Sequence, residues 1–183
     1  MVSTVYTVNV FFFLLVMVET KFFKFEDCGQ EESVFRVSAF TIDPDPVDMT
    51  KNMSISAQGV LFRDIPPSAV LETRYYRLRK VLGMQVEIPI PCIFGRFGSC
   101  TFPLCEYLKR FKSASCQFYP PERPCDCPVK AGIYGGQDVE VPFGDTSILT
   151  RFITKGKYRT EFRLKQNETD EELACFKIHT ELK

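Results

Sequence analysis

The side chains of this 183-residue chain that could carry covalent, acid–base or metal chemistry are few: eight cysteines, one histidine and scattered carboxylates. His179 has no serine or cysteine nucleophile motif near it. It alternates with Phe176 and Ile178, so it reads as an outward residue of a strand rather than a general base. Asp43 and Asp45 are spaced like a carboxylate pair, but each precedes a proline, and Asp43-Pro44-Asp45-Pro46 reads as a turn. Gly135-Gly136 lacks the following Lys-Ser/Thr and helix that a phosphate loop requires. Cys125-Asp126-Cys127 resembles half of a thiolate site, but zinc prefers wider Cys pairs, and the chain has a single histidine to complete one. No catalytic residue, metal or cofactor is expected.

The cysteines have another use in an oxidising compartment, and the N-terminus points to one. Val5 to Val18 is one uncharged apolar run, the length and composition of a secretory core region, so residues 1–20 are expected to be a signal peptide and 21–183 a single domain. The alternatives are a buried N-terminal strand or a membrane anchor, for which the run is short. On the secretory route Cys28, Cys92, Cys100, Cys105, Cys116, Cys125, Cys127 and Cys175 would form four disulfides, with 105 connectivities open by counting alone. Asn52-Met53-Ser54 and Asn167-Glu168-Thr169 are glycosylation acceptors that fit the same route.

The elements that must hold these residues are mostly strands. Phe22 to Asp27 is short and aromatic, and Val34 to Ile42 alternates up to the proline turn. Met53, Ile55 and Ala57 share a face. Ala69 to Val81 sets Glu72, Arg74 and Lys80 against Leu71, Thr73 and Tyr75. Met84, Val86 and Ile88 repeat with period two, as do Tyr158 to Leu164 and Ala174 to Thr180. Only residues 103–112, with Leu104, Tyr107, Leu108 and Phe111 at helical spacing after Pro103, read as a short helix, and it falls inside the cysteine cluster. The expected fold is all-β, a two-sheet antiparallel sandwich. The charged run Asn167 to Glu172 reads as a hairpin turn.

Composition narrows the function classes. Twenty-three Lys and Arg balance 23 Asp and Glu, so no bulk field attracts a phosphate backbone and no nucleic-acid partner is expected. Apolar residues make up 45% of the chain and include 18 Phe, enough to build a core and more. Loops, however, are polar unless an apolar surface is useful. Val60, Leu61 and Phe62 meet a turn at Arg63-Asp64-Ile65-Pro66-Pro67, and Ile148, Leu149, Phe152 and Ile153 form a second apolar stretch. Both are read as contacting lipid or membrane, with core packing as the alternative. Arg63, Arg151, Lys155 and Lys157 stand near to attract anionic headgroups. Residues 139–153, including Phe143, are expected to form a lip interrupted by Pro142, Gly144, Asp145 and Ser147.

These features stand within a more specific pattern. Phe25-Glu26-Asp27-Cys28-Gly29, Asp43-Pro44-Asp45-Pro46-Val47, Asn52-Met53-Ser54, Ile88-Pro89 and Gly98-Ser99-Cys100-Thr101-Phe102 are followed by Pro124-Cys125-Asp126-Cys127-Pro128, Gly132-Ile133-Tyr134, Gly156-Lys157-Tyr158-Arg159 and Cys175-Phe176-Lys177-Ile178. In this order, with all eight cysteines in register, the chain resembles the ML lipid-recognition family, and within it the lysosomal sphingolipid activators. The family's activators carry tryptophan where this chain has Phe25, Gln85 and Phe152.

The resemblance implies disulfides Cys28–Cys175, Cys92–Cys100, Cys105–Cys127 and Cys116–Cys125. It also implies a sandwich opened into an apolar cup for acyl chains, to which Met84, Val86, Phe162, Phe176 and Ile178 would contribute. The implied partners are a glycosphingolipid or phospholipid, transiently a membrane surface, and a lysosomal glycosidase, with the protein itself non-catalytic and secreted or lysosomal. Two other classes remain open at this point: an extracellular carrier of a sterol, fatty acid or pheromone without an enzyme partner, and a disulfide-rich interaction module or secreted enzyme with a filled core.

Overall fold

A computed structural model describes residues 21–95, 97–141 and 155–183. The expected signal peptide and Phe143, Ile148, Leu149, Arg151, Phe152 and Ile153 lie outside the described residues. In chain order the strands are β1 (Lys24–Asp27), β2 (Phe35–Asp43), β3 (Met53–Leu61), β4 (Ala69–Val81), β5 (Met84–Ile90), β6 (Thr101–Pro103), β7 (Gly132–Val141), β8 (Gly156–Gln166) and β9 (Glu172–Leu182). They form two antiparallel sheets. The larger runs β1-β9-β8-β4-β5, with the short β6 also on β4, and the smaller runs β2-β3-β7. This is the all-β, two-sheet sandwich that the alternating runs predict.

The helix expected over 103–112 is α1 (Leu104–Arg110), which starts directly after Pro103. A second short helix, α2 (Lys112–Ser115), and a 3-10 turn at Cys116–Phe118 follow it. Two strands depart from expectation. β6 is too short to show a period. β7 was hidden because its alternation is broken at Asp138, which takes a left-handed φ of 50°; Val139 to Val141, expected in the lip, belong to this strand.

That break is half of a paired irregularity. In β7 the register jumps between Gly136 and Val139 opposite Ala57 and Ile55, and in β2 it jumps at Ser38 opposite Gln58 and Gly59. Side chains pin both bulges: the Asp138 N–H donates to the Ser56 hydroxyl at 2.9 Å, and the Ser38 hydroxyl donates to the Gln58 carbonyl at 3.1 Å. A bulge bends its strand and adds twist, so β3 is flanked by bends on both sides at mid-height.

On one side of these bends the sandwich is filled. Val34, Leu61, Ile65, Leu71, Leu104, Val129, Tyr134, Leu164, Leu173 and Ala174 make one buried cluster, with Phe35 and Phe162 against it. Gly59 is required here, because a Cβ would stand 2.9 Å from the Phe35 ring and 2.8 Å from the Arg36 carbonyl. The connections at residues 28–34, 62–68 and 104–131 all cross between the sheets at this end. The four disulfides are Cys28–Cys175, Cys92–Cys100, Cys105–Cys127 and Cys116–Cys125, the pairing the family resemblance implies, and they staple this end and its flanks.

The outer face of the large sheet is a lattice of ion pairs. Glu161, whose side chain is 7% exposed, accepts from Arg159 at 3.1 Å and Arg163 at 2.5 Å. Arg159 also reaches Glu87 across β4 and lies over the Tyr76 ring, and Arg163 reaches Glu172. Burial pushes the Glu161 carboxyl upward, but Arg163 and Arg159 outweigh it and leave the group below its ordinary 4.5. Arg159 likewise holds Glu87 down. His179, 3.9 Å from Glu26, is displaced below 6.5 chiefly by burial, with Glu26 opposing and Lys24 and Arg159 reinforcing.

Two expectations follow. The Cys28–Cys175 bridge closes a separation of 147 residues; replacing both cysteines by serine should lower unfolding free energy by about 4 to 5 kcal/mol in the chain-entropy picture, read as a lower denaturant midpoint. Every shifted carboxylate named here, and His179, binds fewer protons folded than unfolded. Stability should therefore be full above pH 6.5, begin to fall as His179 is forced to charge, and fall further below 4.5 as the carboxylates do. Glu161→Gln should flatten the lower limb in a pH series of thermal melts.

Candidate functional site

Above the bends, the inner faces of the two sheets are largely apolar, but several of their residues, Phe40, Ile42, Ile55 and Phe176 among them, are only half-buried. One side of the gap is closed by phenylalanines. Phe40 of β2 stacks on Phe25 of β1 at 5.4 Å and on Phe23 at 6.1 Å, and Phe25 leads through Phe176 to Phe162, the last pair 4.9 Å apart. The β2–β3 loop seals this side further. Its Val47 and Met49 are buried, and the Val47 N–H donates to the Glu181 carbonyl at 2.7 Å. The Phe23 N–H donates to the Asp45 carboxylate at 2.9 Å, so Asp45 is a turn residue with a structural contact, as its prolines suggest.

The opposite side is open. The register puts Ile90, Ile88, Val86 and Met84 of β5 level with Tyr75, Arg77, Arg79 and Val81 of β4, and directly paired residues share a face. Tyr75 is packed against Phe97 with its ring 5.1 Å away, and Ile90 is buried. Beyond them Ile88, Val86 and Met84 keep facing inward, yet are 46%, 40% and 67% exposed. Among the described residues no strand of the small sheet packs against them. The β4–β5 hairpin ends in Leu82-Gly83, both with left-handed φ, and Leu82 is 94% exposed. A two-residue hairpin turn of this kind favours Asn or Gly at its first position, so an exposed leucine there is a departure that folding does not explain.

The sequence-predicted residues divide accordingly. Phe162, Phe176 and Ile178 line the inner wall of the large sheet, and Met84 and Val86 its open edge. Leu61 is a correction: paired with Phe35 and 2% exposed, it is part of the closed core, because the last inward residue of β3 falls at the filled end. Val60 faces the other side of the small sheet and is half-buried. Phe62 is exposed, in the connection that crosses at the filled end, away from the gap. Asn52 and Asn167 are exposed. Val81, Leu82, Arg77 and Arg79 went unrecognised; the signal was present in the alternation of β4, which puts the two arginines on the same side as Leu71 and Tyr75. A shallow depression of about 390 Å3 between Tyr119-Pro120-Pro121 and Ile133 lies on the solvent side of the small sheet, separate from the gap.

An antiparallel sandwich whose inner faces are apolar, packed at one end and open along an edge at the other, belongs to the class that holds lipids between its sheets. The family model described as the ML domain matches residues 22–182, and the chain belongs to that family. It is similar to the ganglioside GM2 activator of Macaca fascicularis, with 28% identity over 168 residues covering 88% of this chain and 83% of that one. The ganglioside GM2 activator of Mus musculus is 26% identical over 166 residues, covering 88% and 82%. The protein is a lipid-binding ML-domain protein.

Leu82 makes no packing contribution that its exposure would allow, whereas burying such a side chain in a bilayer is worth roughly 1.5 to 3 kcal/mol. Leu82→Asp should thus leave the melting temperature nearly unchanged while lowering vesicle partitioning by more than about tenfold. Partitioning equal to wild type in a sedimentation assay would remove the hairpin tip from the membrane contact.

Proposed function

We propose that this protein lifts a glycolipid or phospholipid out of a membrane, holds its acyl chains between the sheets and presents the headgroup to a hydrolase, itself catalysing nothing. The observation that carries this reading is the inward row Met84, Val86 and Ile88, which is apolar, faces the gap and is left in water. A filled core would cover such a row; an acyl chain from the open edge would cover it equally well. The hairpin tip beside it offers the route, since Leu82 and Val81 reach outward while Arg79 and Lys80 flank them to meet headgroups. The names of the relatives support a glycolipid cargo and an activator role. Secretion or lysosomal delivery would follow from the N-terminal apolar run and agrees with four disulfides.

The second reading, a carrier of a fatty acid or sterol without an enzyme partner, uses the same gap and differs in its cargo and in its effect on turnover. The test is to isolate the protein from its native source, identify its bound lipid by mass spectrometry, and add the protein to a lysosomal glycosidase acting on vesicle-borne glycolipid. Glycolipid or phospholipid in the extract, with faster hydrolysis, is the expected result. Bound fatty acid or sterol with no change in rate would favour the second reading, and turnover by the isolated protein would overturn both.

A further inference from the structure

The cationic side chains of the large sheet fall into two populations. On the outer face the arginines are neutralised, Arg74 by Glu72 at 2.8 Å, Arg159 by Glu87 and Glu161, and Arg163 by Glu161 and Glu172, as is Lys165 by Glu72 and Asp170, while Lys80 and Lys177 of that face have no carboxylate within ion-pair distance among the described residues. Arg77 and Arg79 are on the other face. They are inner-face neighbours two residues apart on β4, roughly 7 Å along the strand, level with Ile88 and Val86. Among the described residues neither is within ion-pair distance of a carboxylate. Arg77 commits one N–H to the Lys155 carbonyl at 2.8 Å, and its guanidinium lies against Gly156 at the start of β8. A guanidinium has five donors in a planar fork, so most of Arg77 remains available.

The neighbours of this pair are apolar or aromatic. Arg77 faces Tyr158, which is 2% exposed, on one side and Ile88 on the other. Burial raises the Tyr158 phenol, while the charges of Arg77 and Arg79 both act to lower it. The two cations lie beside an apolar row with no carboxylate among the described residues to compensate them, Arg77 half-buried and Arg79 exposed. They stand at the mouth of the gap, where water still reaches them when it is empty and where a lipid's polar end would come to rest when its chain is inside.

We infer that Arg77 and Arg79 form a site for the anionic headgroup of the bound lipid, a carboxylate or phosphate whose acyl chain lies along the neighbouring row Met84, Val86 and Ile88. The inference rests on the gap being the lipid site and adds the charge of the cargo. Bidentate geometry suits both anions. The hydrocarbon supplies the affinity common to all lipids, and the arginine pair selects among them.

Oleate and methyl oleate separate the two contributions, because they share a chain and differ in the anion. By isothermal titration at neutral pH with the intact protein, oleate should bind about tenfold more tightly than its ester or better. Arg77→Gln with Arg79→Gln should bring that ratio close to one. The single Arg79→Gln change, at an exposed side chain, should lower it part way and serves where the double variant folds poorly. Arg74→Gln on the outer face should leave the ratio as it is. Inorganic phosphate at the oleate concentration should not displace oleate; if it does, the pair is a site for a free anion and not for a headgroup. Equal binding of oleate and ester by the wild type, or an unchanged ratio in the double variant, overturns this inference and leaves the lipid gap intact. Binding of neither ligand overturns both.

Discussion

A two-sheet sandwich is normally held together by the side chains that interlock between its sheets, and a sandwich left partly unfilled forgoes that attraction where it is unfilled. Everything else here depends on compensating for it at one end. The three connections that cross between the sheets at residues 28–34, 62–68 and 104–131 all do so where Leu61, Leu71, Leu164 and Tyr134 are packed. The disulfides gather there or on its flanks. A filled end whose crossing connections are cross-linked leaves the paired bulges at Ser38 and Asp138 to bend β2 and β7 beyond it without loss of the fold.

The phenylalanine stack and the β2–β3 loop then decide which edge opens. Phe40 bonds the sheets on the β1–β2 side through Phe23 and Phe25, and Val47 continues the seal in backbone hydrogen bonds with the end of β9. No comparable contact joins β5 to β7 among the described residues. The gap therefore has a direction: a hinge-like wall of aromatic rings at the back, and Met84, Val86 and Ile88 at the front. The ion-pair lattice outside stiffens the large sheet without contributing to the gap, since its charges point away from it.

Much of this was legible in the sequence, and the exceptions have physical causes. Period-two runs located six strands, a short aromatic run located β1, and the helical spacing of Leu104, Tyr107 and Leu108 located α1, because these elements bury one face and most follow the simple period. β7 was not legible since a bulge breaks its period at Asp138, and propensity has no means of seeing a bulge pinned from another strand by Ser56. Leu61 was misplaced for a different reason. Whether an apolar residue beside a turn is rim or core depends on which end of the sandwich that turn serves, a fact of topology and not of local pattern. Arg77 and Arg79 were in plain view on the apolar side of β4, but their meaning required knowing that this side looks into an unfilled space.

The exposed strand β5 is also a sheet edge: among the described residues no strand pairs along its far side, and only the Ile90 carbonyl at its buried end accepts a further bond, from the Ser99 N–H. An edge that is long, apolar on one face and open is a template on which another chain can pair, which leads toward fibres rather than solution. This edge carries its own safeguards: Pro89 removes a donor from the row, and Glu87 sets a charge, shared with Arg159, on the outer side. Both lie toward the buried end of the strand, leaving Met84 and Val86 least protected. Colloidal stability and cargo are thereby linked, because whatever fills the gap also covers the part of the edge that the safeguards do not reach.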